Sequence, residues 1–117
     1  MLDRIVSTLS GIAPCYFNIR SVENVPNAND EFSSVYVESA SVEYPQKAET
    51  VYVVVYAKRA NDPTSHTEFT NFKNSVFTIV SQLQKDFTPS KVEVRFGNND
   101  MFFFAEIRLS IKEVIHV

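Results

Sequence analysis

One stretch near the middle of the chain, residues 65–87, limits the possible folds more than any other. It reads SHTEFTNFKNSVFTIVSQLQKDF. Its apolar residues recur at spacings of three and four, which places them along one face of an α-helix. They are Phe69, Phe72, Val76, Ile79, Val80, Leu83 and Phe87. At about 1.5 Å per residue such a helix spans roughly 33 Å, enough to cross a small sheet. We therefore expect a long amphipathic helix packed on a sheet that the rest of the chain supplies.

Both ends of this predicted helix carry recognisable signals. Ser65 and Glu68 have the spacing of a capping box, in which the hydroxyl accepts from the amide of Glu68 and the carboxylate returns to the amide of Ser65. Pro89 marks the other end, because proline cannot continue a helix. We expect the helix to begin just after Ser65 and to end just before Pro89.

A second, shorter helix is predicted at the N-terminus. Leu2, Ile5 and Leu9 have helical spacing, Gly11 is placed to act as a left-handed cap, and Pro14 prevents continuation. A helix of about ten residues follows from this pattern.

The remaining sequence favours β-strands, because apolar and polar residues alternate and β-branched residues are dense. The predicted strands are 15–22, which we place at an edge, 32–44, 49–59, 92–96 and 101–111. Turn-forming residues at 45–47 and 97–100 predict two hairpins, and residues 23–31 predict a mobile loop. The fold class is therefore α+β, a single domain over residues 1–117 with a mostly antiparallel sheet of about five strands, in the order α-β-β-β-α-β-β.

The last predicted strand is unusually long. One parity, from Met101 to Ile111, is apolar at every position. If it continued to Val117 it would extend about 55 Å, whereas a usual strand has about five or six residues. We expect this strand to bend or to leave its own subunit.

Composition excludes several classes of function. The 11 basic and 14 acidic residues nearly balance and contain no basic run, which argues against a surface that follows nucleic-acid phosphates. The single cysteine excludes an internal disulfide and supplies no metal-ligand set. The longest apolar runs are much shorter than a membrane span, and the N-terminus lacks the apolar core of a signal peptide. We expect a soluble protein made in the cytosol, without membrane contact.

No residue pattern predicts catalysis. The two histidines, His66 and His116, and the thiol of Cys15 share no motif with each other or with a carboxylate. The two glycines are too few for a phosphate-binding loop. We therefore predict no enzyme activity, no catalytic residues, no cofactor and no metal.

The distribution of aromatic residues instead predicts an interface. If the long helix covers the face that bears Val53 and Val55, the tyrosines that flank them lie on the opposite face. A sheet that is apolar on both faces needs a second cover, which either the N-terminal helix or a neighbouring subunit would provide. The interface candidates on this opposite face are Tyr52, Tyr56, Phe102 and Phe104.

The whole arrangement resembles a known family. The N-terminal helix ending near Pro14, the strands SVYVESASVEY and VYVVVYAKR, the helix with EFTNFKNSVFTIVSQL and the closing arm FFFAEIRLSIKEVI are similar to the lambda-type tail terminator (minor tail) proteins of long-tailed bacteriophages. The resemblance implies a structural protein of the virion tail, assembled in the host cytoplasm as a hexameric ring. Such a ring caps the tail tube, stops its polymerisation and joins the head. The family has no catalytic residues.

The implied partners are further copies of the chain, the tail tube protein and a head-completion or neck protein, with DNA only as passing cargo. The acidic tip of the predicted loop, Asp30 and Glu31, completes the interface candidates, because it would either meet a basic partner surface or keep passing DNA from adhering to the channel. Two alternatives stay open: another neck or tail-completion protein of similar fold, and a small monomeric α+β binding module with a ligand groove beside the long helix.

Overall fold

A computed structural model describes residues 1–20, 30–44 and 47–114. It confirms the α+β class and the predicted element order. The elements are α1 (Leu2–Ser10), β1 (Cys15–Phe17), β2 (Glu31–Glu43), β3 (Lys47–Arg59), α2 (His66–Phe87), β4 (Lys91–Asn98) and β5 (Phe102–Val114).

The five strands form one sheet in the order β1-β2-β3-β5-β4. All neighbours are antiparallel except β1 and β2, which are parallel. β1 is at an edge, as predicted, but it ends after three residues. Asn18 has a φ of 66°, and the amide of Ile19 donates to the hydroxyl of Ser34, so the chain turns away from the sheet there.

Both helices pack on the same face of the sheet, which we call the helix face; the other is the open face. α2 buries most of its predicted stripe, and Phe69 and Val80 at its margins are half-buried. Ile5 and Leu9 of α1 enter the same core. The guanidinium of Arg4 lies 5.3 Å from the ring centre of Phe87, which joins the start of α1 to the end of α2.

The predicted start of α2 is half right. The hydroxyl of Ser65 accepts from the amide of Glu68 at 3.2 Å. The carboxylate of Glu68, however, accepts from the amides of Asn61 at 2.6 Å and Asp62 at 2.9 Å, not from Ser65. This side chain therefore fastens the loop that enters the helix.

The predicted left-handed cap at Gly11 is wrong. Gly11 has φ −73° and ψ −12°, and the amides of Ile12 and Ala13 both donate to the carbonyl of Leu9. The chain thus continues a right-handed turn until Pro14 stops it. The left-handed cap in this fold is Thr88, at the end of α2, with a φ of 42°.

β5 pairs with β3 over its whole length, from Phe102 opposite Arg59 to Val114 opposite Lys47. The expectation that the final strand leaves its subunit is therefore wrong over the described residues, because β3 is equally long and takes up its hydrogen bonds. Positions 115–117 lie outside the described residues. So do positions 23–29 of the predicted mobile loop.

The hairpin between β4 and β5 is where it was predicted, but Gly97 has a different role. The side-chain oxygen of Asn99 closes the turn, accepting from the amides of Met101 at 2.8 Å and Phe102 at 2.7 Å. Gly97 lies within β4, where an added Cβ would come within 2.6 Å of the Phe104 ring. Glycine is needed here for this close approach.

Candidate functional site

The structure places Tyr52 and Tyr56 on the helix face, so the predicted face assignment is wrong. Both are buried in the core beneath the helices, with 7% and 3% exposure. The ring of Tyr56 stacks on that of Phe72 at 5.6 Å. The smaller Val53 and Val55 lie on the open face instead. The two tyrosines are therefore core residues of the protomer and offer no surface to another subunit.

Phe102 and Phe104 lie on the open face, as expected, but both are engaged within the protomer. Phe102 is buried against Phe32, ring to edge at 5.9 Å, and the guanidinium of Arg59 lies 5.0 Å from its ring centre. The ring of Phe104 is half-buried over Gly97. Most of their apolar area already stabilises the end of the sheet.

The neighbouring acids Asp30 and Glu31 do not form one tip. The carboxylate of Asp30 is well exposed and accepts from the guanidinium of Arg59 at 3.0 Å. The side chain of Glu31 instead approaches the hydroxyl of Tyr56 on the helix face. Successive strand residues point to opposite faces, which explains the separation.

A groove of about 610 Å³ lies between α1 and α2, above the end of β3. Glu31, Tyr56 and Lys58 line its floor, and Ile12 and Thr78 line its walls. Burial, together with the Glu31 carboxylate, raises the pKa of Tyr56 to about 12. Its hydroxyl is therefore a neutral hydrogen-bond donor at physiological pH. The groove combines the Glu31 carboxylate, which accepts from the Tyr56 hydroxyl, with the ammonium of Lys58, and these charges suit binding of a small polar molecule.

The most unusual surface is an extension of the sheet, which we call the arm: residues 39–43 of β2, 47–50 of β3 and 112–113 of β5. It begins beyond Tyr52 and Ile111, the last buried core residues of β3 and β5. In β2 every residue of the arm is exposed, and in β5 the successive residues Lys112 and Glu113 are both exposed. Successive strand residues point to opposite faces, so neither face is covered along β2 and β5, whereas Ala48 and Thr50 in the middle strand β3 are half-buried.

The arm is amphipathic although it is bare. Across the strands, Val42 lies opposite Ala48 and Ala40 opposite Thr50, and this side continues the helix face. Glu43 opposite Lys47 belongs to the open face. Val42 is 53% exposed, and Tyr44 at the end of the arm is 80% exposed. A single chain thus exposes a small apolar patch on this side, bordered by Glu113 opposite Ala48. No sequence feature predicted this patch, because its pattern is that of any half-buried strand.

An ion network crosses the open face from β2 to β4. Arg108 donates to both carboxylate oxygens of Glu38, at 2.6 and 2.8 Å, and to Glu93 at 3.5 Å. Glu93 in turn pairs with Lys91 at 2.6 Å. Lys91 first and then Arg108 lower the pKa of Glu93. Glu38 is the extra residue of a β-bulge between Val37 and Ser39, so the network holds β2 at its irregular point.

The residues considered for catalysis are not brought together. His66 lies in the first turn of α2, and Cys15 lies at the opposite edge of the sheet, where burial raises the pKa of its thiol. His116 lies outside the described residues. Within residues 1–20, 30–44 and 47–114, no three metal-ligating side chains cluster. In the same part of the chain, none of the helices has the length and apolarity that crossing a membrane requires.

Comparison with known proteins bears on the fold. No family model matches the sequence, and no curated protein matches it. A solved structure whose name states no function is similar over 98% of this chain and 87% of its own, with a TM-score of 0.56 and 12% identity. At this identity the similarity concerns the fold alone.

Proposed function

We propose that this chain is a structural virion protein, a phage tail terminator that forms a ring on the end of the tail tube. The observation that carries the proposal is the arm, whose apolar side is exposed on the protomer. The resemblance of the element order and segments to the lambda-type terminators supplies the particular assembly.

The exposed strands of the arm need a surface that covers them. An isolated ribbon of two or three strands is marginally stable in water unless one face packs against something. Contiguous apolar surface on a soluble protein marks an interaction site. Because the arm lies at one end of the sheet and cannot cover itself, a further copy that covers it would present its own arm in turn. Such head-to-tail contacts form a ring when the rotation between successive copies closes.

Termination by such a ring is steric and needs no catalytic group. One side of the ring matches the end of the growing tube, while the other side lacks the surface that a further tube subunit would bind. The head-completion or neck protein binds this second side, and DNA passes through the opening. Asp30 is an exposed residue that is available to select a partner.

The experiment has two readouts on the purified full chain. Native mass spectrometry measures the assembly, for which a sixfold ring is expected, and negative-stain images measure tube length when tube protein is added. Val42→Asp should prevent the ring while leaving the protomer folded, because Val42 is half exposed. The matched control is Ile12→Asp, at a 41% exposed residue of the groove, which should still form the ring. A chain that stays monomeric at high concentration and leaves tube length unchanged contradicts the proposal.

A ring that binds the head side but does not limit tube length would instead indicate another neck or tail-completion protein.

The groove supports a second candidate, a monomeric binding module. Tyr56, Glu31 and Lys58 place a donor, an anion and a cation around one cavity. In this case a screen of small polar molecules by NMR should give shifts confined to the groove of a monomeric protein. Thr78→Trp, which fills the groove wall, should abolish them. Binding that survives this substitution would exclude the groove.

A further inference from the structure

Both edges of the sheet leave backbone groups unpaired among the described residues. β4 borders only β5, so its outer edge has no strand beside it. β1 pairs with β2 only at Ser33–Val35 and turns away at Asn18. Residues 37–43 of β2 therefore have no strand on their outer side in the described part of the chain. Unpaired edges of this kind are templates for a strand of another chain.

We propose that residues 39–43 of one copy, which follow the bulge in β2, add to the β4 edge of the next copy, so that the sheet continues from subunit to subunit. This inference rests on the proposed ring and specifies how its subunits join. β2, β3, β5 and β4 alternate in direction, so β4 runs opposite to β2. When identical sheets follow one another around a ring, the new pair is antiparallel, which is the more stable ladder.

The side chains select one register. Helix-face residues must stay beside helix-face residues, since a slip by one residue exchanges the faces. Placing Val42 opposite Val92 also places Ala40 opposite Val94, so that apolar residues meet on the helix face. On the open face the same register places Glu43 opposite Lys91, an attractive pair.

The nearest alternative registers are worse. A slip of two residues in one direction places Glu43 opposite Glu93, and like charges directly opposite are destabilising. A slip of two in the other direction places Gly97 and Asn98 of the next copy opposite Val35 and Ser34, a place beside β2 that β1 of the first copy already occupies. In the proposed register, with Val42 opposite Val92, β4 of the next copy does not reach the part of β2 that β1 occupies, because β1 pairs only with Ser33–Val35.

The proposed register is also compatible with closure. Each copy contributes the four strands β2, β3, β5 and β4, which at a spacing of about 4.8 Å between neighbours give a width of ~19 Å. The proposed register shifts each copy along the strand direction, relative to the copy before it, by about four residues, or ~13 Å. The resulting strand tilt is about 35°, within the range of closed β-barrels. The tilt does not depend on the number of copies.

The flank of α2 supplies a cover for the added strand. Phe77 is 49% exposed and its ring packs edge-on against Phe96 at 5.9 Å, so the helix overhangs the β4 edge. Val80 beside it is half-buried. A strand added to β4 would place the small Ala40 and Val42 beneath this flank, which covers the exposed apolar side of the arm.

Disulfide trapping tests the register in the full chain. With Cys15→Ser as background, Glu43→Cys combined with Lys91→Cys places two thiols on directly opposite residues, whose Cβ atoms are about 5 Å apart. The matched control combines Glu43→Cys with Glu93→Cys, which only the slipped register would join. Mild oxidation should give a covalent ladder in the first variant and several-fold less product in the control, measured on non-reducing gels.

The outcomes separate this inference from the proposed function. A ring in native mass spectra without the 43–91 link, or with a stronger 43–93 link, overturns the register while the ring stands. Linked rings that neither bind nor cap tubes support the edge pairing and contradict the terminator function. A strictly monomeric, unlinked chain overturns both.

Discussion

The placement of Tyr56 in the protomer core can be tested through the pH dependence of stability. Its hydroxyl is buried beside the carboxylate of Glu31, and its pKa is raised from 10.0 to about 12. Below pH 10 the phenol is neutral in the folded and unfolded states. Above pH 10 the unfolded chain ionises first, so the wild-type protein loses stability as pH rises toward 12.

The size of the effect follows from the two pKa values. Between pH 8 and pH 11 ionisation of Tyr56 removes about 1 kcal/mol from the free energy of unfolding. Tyr56→Phe has no such loss, although it gives up the hydrogen bond to Glu31, worth about 1 kcal/mol. The variant should therefore be about 1 kcal/mol less stable than wild type at pH 8 and about equally stable at pH 11.

The assay is urea unfolding of both proteins at the two pH values, followed by circular dichroism. The difference between the proteins is the measured quantity, because other groups that titrate in this range are common to both. Tyr44→Phe is the matched control, since it removes a hydroxyl from a ring that is 80% exposed. If the difference between wild type and Tyr56→Phe is the same at both pH values, the hydroxyl of Tyr56 is not buried and the argument fails.

Three further predictions concern local features. Gly97→Ala should lower the free energy of unfolding by about 1–3 kcal/mol, because its Cβ would collide with the ring of Phe104; chemical denaturation measures this, and an unchanged midpoint would refute the close approach. Ser65→Ala should cost about 1 kcal/mol through loss of the N-cap, with a thermal melt as the readout. Lys91→Met should raise the pKa of Glu93 toward its ordinary value, because Lys91 is the main cause of its lowering. An NMR titration that finds the Glu93 pKa unmoved would contradict the assigned ion pair.

The sequence predicted the parts of the fold that depend on local patterns. The stripe from Phe72 to Phe87 and the N-cap at Ser65 both act within a few residues, so the extent of α2 could be read directly. The same holds for the hairpin between β4 and β5, where the turn chemistry of Asn99 is local. The element order followed from these local signals.

The candidate interface could not be predicted in the same way. The segment VYVVVYA of β3 is apolar on both parities, so alternation alone does not tell which side the helices cover. The choice depends on filling the space between sheet and helices, where the stacked rings of Tyr56 and Phe72 lie. For this reason the predicted face was wrong for two of the six interface candidates, Tyr52 and Tyr56, which are buried in the core.

The sequence by itself determined which segments are helices and strands, because hydrophobic periodicity and caps act along the chain. Only the tertiary structure decided which side chains hydrogen-bond to each other and which strands pair. Glu68 holds Asn61 and Asp62, and β5 finds a full-length partner in β3. The β2 residues of the arm remain exposed on both faces. The pairing of β5 with β3 joins residues far apart in sequence, and its energy depends on distances that only the folded chain sets.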